Sequence, residues 1–288
     1  MPNPATSMET TLAIFEHEAV VRFALFLAVF LTMAVWEIAL PRRVLREAKA
    51  TRWTNNLVLV TLNTIVLRVL FPTTAVGLAA AVGDSGTGLL NHFTVPYPLA
   101  VVLSILFLDL VIYLQHLMFH AVPVLWRLHR MHHADLDFDV TTGTRFHPIE
   151  IALSMLIKFA AIVLLGAPAV AVLVFEILLN ATAMFNHANA RIHPAWDRVL
   201  RWIVVTPDMH RVHHSVDAPE TNSNFGFNLP WWDRLFGTYR AQPAAGHEQM
   251  TIGIGQFRTG RDLWLDRMLA IPFHDDAGSY AINRRQEA

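Results

Sequence analysis

Cysteine is absent from all 288 residues, which excludes disulfides, thiolate zinc sites, iron–sulfur clusters and a haem thiolate. Charge is also scarce. Asp, Glu, Lys and Arg make up 16% of the chain, hydrophobic residues 54%, and the mean hydropathy is +0.38. Soluble domains carry about a quarter charged residues, so this composition is that of a membrane protein. A formal net charge of −1 provides no basic field to attract nucleic acid. The chain has no Gly-rich dinucleotide fingerprint, flavin motif or haem-binding segment, so electrons for any redox chemistry are expected from a separate donor protein. It has no His-Glu-x-x-His motif, which argues against a zinc hydrolase. The N-terminus holds Glu9, Glu16 and Glu18 rather than a basic region before a cleavage site, so the first apolar run reads as a retained anchor.

Five apolar stretches are present: Phe23 to Leu40, Leu57 to Val82 (interrupted by Arg68 and Pro72), Tyr97 to Phe119, Ile149 to Leu165, and Pro168 to Phe185. Arg42, Arg43, Arg46, Lys49 and Arg52 follow the first stretch, which puts that end on the cytoplasmic side by the positive-inside tendency. Gly166-Ala167-Pro168 separates the last two stretches and predicts a tight helical hairpin. Lys158 and Glu176 flank Ala167 at equal distance, roughly 13 Å from the turn at about 1.5 Å per residue. They either pair with each other or reach water separately from a hairpin that only dips into the membrane. From Phe185 onward the chain is polar, punctuated by proline and rich in Trp and His.

The expected fold is therefore an all-α integral membrane protein with about four to five membrane-embedded helices. A helical cytoplasmic cap would hold a histidine-rich di-metal site. The expected division is an N-terminal tail (1–17), transmembrane helices (18–120), a first cytoplasmic histidine segment (121–148), a membrane hairpin (149–186), and a catalytic cap with C-terminal tail (187–288).

Histidine is the outlier in composition, with fifteen residues placed very unevenly. His116 and His120 form an i,i+4 pair at the end of the third stretch. His129, His132 and His133 form a His-x-x-His-His motif, and His210, His213 and His214 repeat it. On a helix each motif makes a patch about one turn high. Thr206-Pro207-Asp208 supplies an N-cap and an N1 proline for the last motif. All three groups fall on one predicted side of the membrane. Eight imidazoles exceed the needs of one tetrahedral zinc and suit two metals with open positions; imidazole also suits iron better than magnesium. His17, His92, His247 and His274 stand singly and read as interfacial surface residues.

With the flanking Thr144-Arg145-Phe146-His147-Pro148-Ile149-Glu150, Asn186-His187-Ala188-Asn189, Asn224-Phe225-Gly226-Phe227-Asn228 and Trp232-Asp233-Arg234-Leu235-Phe236-Gly237-Thr238-Tyr239, the chain resembles the fatty acid hydroxylase/sterol desaturase superfamily over roughly His116 to Arg240. Its wording is most similar to a bacterial sterol-desaturase-like branch related to alkylglycerol monooxygenases. The resemblance implies a dinuclear Fe2+ centre, with zinc as a substitute in purified protein. It also implies dioxygen-dependent hydroxylation or desaturation of a lipid C–H bond, in this case at a bacterial inner membrane. By motif position the implied ligands are His116, His120, His129, His132, His133, His187, His210, His213 and His214. Some members carry a further histidine where Ala183 stands here, and His147 is the candidate to complete the set, the alternative being a helix-entry residue before Pro148.

Candidate partners of the ligand imidazoles are Asp109, Glu150, Asn186, Asn189 and Asp208. Asp109 reads equally as a partner for Arg68, and Asp208 as a helix N-terminal charge. Arg127, Arg130 and Arg211, lying between the histidines, read as solvated faces or as a dock for a donor protein or lipid headgroups. Trp231, Trp232, Phe236 and Tyr239 read as core or interfacial anchors. Competing classes are a histidine-based metal transporter or sensor, whose ligands would line a path across the bilayer, and a zinc-loaded structural protein.

Overall fold

A computed structural model describes residues 17–274 and 280–282; most of the expected N-terminal tail and the stretch 283–288 lie outside the described residues. The chain is all-α. Among the described residues only two isolated β-bridges occur, Pro41 with Ala190 and Ser215 with Ile252.

The N-terminal part consists of α1 (Glu18–Ala39), α2 (Lys49–Leu70), α3 (Ala75–Ser85), α4 (Tyr97–Ala121) and α5 (Pro123–His133), followed by the hairpin α6 (Pro148–Leu165) and α7 (Ala169–Asn186). Five segments are long and apolar enough to cross a membrane: α1, Lys49–His92, α4, α6 and α7. Phe23, Leu27, Leu31, Val35 and Ile38 run down one face of α1 and are all exposed, as a lipid-facing stripe requires. The expected second stretch divides into two helices. Phe71-Pro72 ends α2, and Thr74 restarts the chain by accepting the Gly77 N–H on its Oγ1 at 3.0 Å. The short α3 packs on α6 and α7, where Ala75, Val76, Ala79, Leu108, Ile162, Val172 and Phe175 build the core between the helices.

The hairpin forms as its sequence predicts. Gly166 closes α6 with a left-handed φ of 72°, and a Cβ on the adjoining Gly88 would stand 2.3 Å from the Gly166 nitrogen. Lys158 Nζ lies 2.6 Å from Glu176 Oε1, so the pair does form, and Arg22 of α1 adds a second cation 2.8 Å from Oε2.

The cap is built from short helices: α8 (Pro194–Leu200), α9 (Pro207–His213), α10 (Ala218–Thr221), α11 (Trp231–Leu235), α12 (Gly246–Gln249) and α13 (Leu265–Ala270). The basic stretch after α1 is tied to the cap and to the loop after α5 instead of facing solvent throughout. Arg42 pairs with Asp208 at 3.1 Å, and fully buried Arg52 pairs with Asp135 at 2.8 Å and Asp139 at 2.5 Å. His247 also departs from the surface reading: it is buried, packed near Asp208 with Nε2 3.7 Å from the carboxylate.

Candidate metal centre

Four separate stretches deliver nine histidines to one buried locus. His116 and His120 project from the last turns of α4, and His129, His132 and His133 from α5, whose Pro123 starts the helix at once after α4. His187 is the C-cap of α7. His210 and His213 lie on α9, started by Pro207 and capped by Thr206, whose Oγ1 accepts the Met209 N–H at 3.3 Å, and His214 closes that helix. All nine are at most 5% exposed.

They sort into two groups, each with its ligating atoms within 4.8 Å of one another: His116, His120, His129, His133 and His213, and then His132, His187, His210 and His214. The groups adjoin, with the His133 and His214 rings stacked at 4.6 Å. Neither His-x-x-His-His motif acts as one patch. In each motif the i and i+4 rings join one group and the i+3 ring joins the other, and the two motifs do this in opposite senses. Helical geometry explains the split: at 3.6 residues per turn, adjacent positions diverge by about 100° while i and i+4 differ by only about 40°.

Acceptors around the site fix the tautomers. The Nδ1 of His116 faces the Phe225 carbonyl at 2.8 Å, that of His132 the Arg145 carbonyl at 3.1 Å, that of His187 the Ala183 carbonyl at 2.8 Å, and that of His213 the Ser223 carbonyl at 2.7 Å. His129 Nδ1 lies 2.6 Å from Glu150 Oε1. His120 Nδ1 lies 3.1 Å from Asn222 Oδ1, whose amide is oriented by donating to the Tyr280 carbonyl. Each of these six Nδ1 atoms therefore carries the proton, and each Nε2 is left as a lone pair.

Those lone pairs face each other. Nε2 of His116 is 3.1 Å from that of His129, and Nε2 of His132 is 3.2 Å from that of His187. Two neutral imidazoles so placed repel unless a cation lies between them, and one such pair falls in each group. Buried Nε2 atoms of His213 and His214 also lack any hydrogen-bond partner. Burial, reinforced by the neighbouring imidazoles, holds His132, His133, His210, His213 and His214 well below the ordinary histidine value, and burial brings His187 down to about 3. These six imidazoles are thus held neutral, and with the inward lone pairs of His116, His120 and His129 they form a nitrogen donor set that fits two divalent transition metals.

His147 stands outside both groups: its Nδ1 accepts the Ile149 N–H at 3.2 Å and caps α6. Of the candidate partner residues, Glu150 touches a grouped histidine. Asp109 lies two turns before His116, about 10 Å along the axis, and accepts from Trp232 Nε1 at 2.8 Å and Leu229 N at 3.3 Å. It has no ion pair to Arg68 among the described residues. Asn186 donates to the Phe227 carbonyl at 2.9 Å, Asn189 brackets the Arg43 backbone, and Asp208 pairs with Arg42 and Arg211. Arg130 and Arg211 are fully buried, so these two do not form the solvated or docking face expected of them, while half-buried Arg127 donates its Nε to the Pro272 carbonyl at 2.8 Å.

Several residues around the site escape sequence reasoning. Asp135 and Asp139 hold Arg52, beside Arg145, whose carbonyl orients His132. Burial raises the Asp135 carboxyl but the Arg52 guanidinium outweighs it, leaving it at about 2. Asp233 accepts the N–H groups of Phe225 at 2.7 Å and Gly226 at 2.8 Å, which fixes the carbonyl facing His116. The signal available was an alternating Asp135-x-Asp137-x-Asp139 directly after a histidine motif in a chain poor in charge.

A cavity of about 260 Å³ has His116 and His129 in its wall. Phe26, Ile112, Phe119, Met155, Leu179 and Phe227 make it largely apolar, and the Arg22–Glu176–Lys158 trio lines it as well.

Residues 101–238 match the model of the fatty acid hydroxylase family. Over 148 residues the chain is 32% identical to an ornithine lipid hydroxylase, OlsE, of Rhizobium tropici, covering 51% of this chain and 44% of that protein. It is 31% identical over 137 residues to an alkylglycerol monooxygenase of Xenopus tropicalis (48% and 30% of the two chains), and 28% identical over 155 residues to the fatty acid hydroxylase vlmA of Lecanicillium sp (49% and 42%). The matched stretches thus span less than half of each relative, and the likeness reaches across the superfamily without singling out one branch. No solved structure matches. The matched segment contains all nine converging histidines, and over residues 101–238 this chain is similar to the fatty acid hydroxylase family.

Proposed function

We propose that the nine grouped histidines bind two iron ions and that the protein uses dioxygen and electrons from a separate donor protein to hydroxylate or desaturate a C–H bond of a membrane lipid. The observation that carries this reading is the pair of inward-facing Nε2 sets, one in each group, next to an apolar cavity between membrane-crossing helices. Bound iron would supply the oxidising power for an unactivated C–H bond, which side chains alone lack. The chain's own residues do the rest. Phe225, Arg145, Ala183 and Ser223 hold their histidines in one tautomer through backbone carbonyls, and the buried carboxylate of Glu150 orients His129 by accepting from its Nδ1. Phe146 stacks on His132 at 4.4 Å and blocks rotation of that ring. The apolar cavity excludes water and orients an alkyl chain towards His116 and His129.

The lipid class follows the relatives only loosely: their names point to ornithine lipids, alkylglycerols and fatty acids, which share a long alkyl chain. We place the enzyme in the bacterial sterol-desaturase-like branch and in a bacterial inner membrane. The cap (187–288) and the first histidine segment (121–148) would lie on the cytoplasmic side, the side of the basic stretch Arg42 to Arg52. A metal transporter would need ligands along a path through the bilayer, and the histidines are gathered at one end of the bundle instead. The test is to supply anaerobically iron-loaded full-length protein with a chemical reductant, dioxygen and a lipid extract. Oxygen-18 incorporated into a lipid, or a lipid lighter by two hydrogens, is expected. Unaltered lipids under those conditions, with iron bound, would remove the oxygenase reading.

A further inference from the structure

Away from the histidines, a cavity of about 430 Å³ opens in the cap. Four arginines, Arg42, Arg198, Arg201 and Arg234, line it against two aspartates, Asp197 and Asp208, so cations outnumber anions by two. Arg201 is 4% exposed. Its Nε pairs with Asp197 at 2.6 Å and its Nη1 donates to the Ala241 carbonyl at 2.5 Å, while its Nη2 is buried with no hydrogen-bond partner. Arg234 is held between the rings of Trp202 and Tyr239, 4.0 Å from each, and its buried Nε also lacks a partner. Buried guanidinium N–H groups without an acceptor are costly, and an oxyanion satisfies them in the geometry arginine favours.

The surface beside this cavity says where that anion comes from. Trp196, Trp202, Ile203, Trp231, Leu235 and Phe236 are between 46% and 69% exposed, a dense apolar patch. Trp231 Nε1 donates to the Trp202 carbonyl at 2.7 Å, joining the two stretches of the patch. Phe236 stacks on Tyr113 of α4 at 5.4 Å, joining the patch to a membrane-crossing helix. Exposed tryptophans continuous with such a helix belong at the depth of lipid headgroups.

We infer that this cavity binds the phosphate of an anionic membrane phospholipid, with the tryptophan patch seated in the bilayer interface beside it. The acyl chains run out over the patch, and the arginines hold the headgroup. The site is separate from the histidine centre and carries no reaction; it anchors and orients the cap on the membrane.

The test uses delipidated full-length protein in detergent, titrated with dioleoylphosphatidylglycerol, dioleoylglycerol and sn-glycerol 3-phosphate, with thermal stability and native mass spectrometry as readouts. One phosphatidylglycerol should be retained per chain and raise the melting temperature, dioleoylglycerol should not, and glycerol 3-phosphate should need a far higher concentration. Gln242→Glu puts a carboxylate in the cavity wall without removing any arginine contact, and Arg198→Ala removes an exposed guanidinium. Each should weaken phosphatidylglycerol binding about fivefold, the effect of one charge at a lipid surface, and leave metal content unchanged. Equal stabilisation by dioleoylglycerol, glycerol 3-phosphate binding as tightly as the phospholipid, or wild-type affinity in both variants would overturn the inference.

Discussion

Replacing Glu150 with Gln removes one negative charge from the candidate centre while keeping the side-chain volume. Glu150 is 3% exposed, its Oε1 lies 2.6 Å from His129 Nδ1, and its Oε2 is buried without a hydrogen-bond partner. The carboxylate polarises the His129 ring so that its Nε2 binds a cation more strongly. Gln retains an acceptor but not the charge, and hydrogen bonds to charged groups are worth about 1.5–3 kcal/mol. The affinity of the group containing His129 should therefore fall about 10–100-fold, the range found for such supporting partners of metal-bound histidines. The group of His132, His187, His210 and His214 has no contact with Glu150 and should keep its affinity. Chelator competition on iron-loaded protein reads this directly: the variant should release one equivalent early and the other at the wild-type chelator concentration. If both equivalents shift together, or neither moves, the polarising role assigned to Glu150 is wrong.

The crossed arrangement of the two histidine motifs makes a sharper claim about identity. His132→Ala should disturb the same metal as His210→Ala, and His213→Ala the same metal as His129→Ala, as read by site-resolved spectra of cobalt-substituted protein. His147→Ala should keep the full metal content and lose only the helix cap, about 0.5–2 kcal/mol of stability measurable by thermal unfolding. Arg52→Met strands Asp135 and Asp139 in the interior, so about 3–5 kcal/mol should be lost and the melting temperature should drop sharply. Asp135 also sets an acid limit. Its carboxyl is held at about 2 in the folded protein, against about 3.9 unfolded, so its contribution of roughly 2–3 kcal/mol is complete above pH 4 and is lost as pH falls through 2. A stability profile flat between pH 4 and 2 would contradict that assignment.

Much of this was readable from residue order because spacing and composition act locally. The i,i+4 relation of His116 and His120, the N-cap Thr206 before Pro207, and the Gly166-Ala167-Pro168 turn are short-range patterns, and each appears in the structure as expected. The equal depth of Lys158 and Glu176 was also legible from a hairpin with equal arms, whereas the choice between pairing and separate access to water was left open and the structure shows the pair. Long-range choices were not. Nothing local tells that His132 turns away from His133 to join His187, or that Arg52 is buried against Asp135 rather than facing a headgroup layer. Asp109 shares a helix face with His116, yet the axial rise keeps them apart, and the indole of Trp232, more than a hundred residues away, takes the carboxylate instead. The carbonyls that orient the rings belong to backbone, which residue identity hardly marks. Asp233 and Asn224, which shape that backbone, are visible only once the loop is folded.

Metal counting on the full-length chain, reconstituted with Fe2+ without oxygen, tests the central claim most directly. Wild type should bind two ions, His116→Ala/His129→Ala one, and His132→Ala/His187→Ala one, with the combined variant binding none. One ion in the wild type, or two in either double variant, would contradict the two-group centre on which the rest of the account stands.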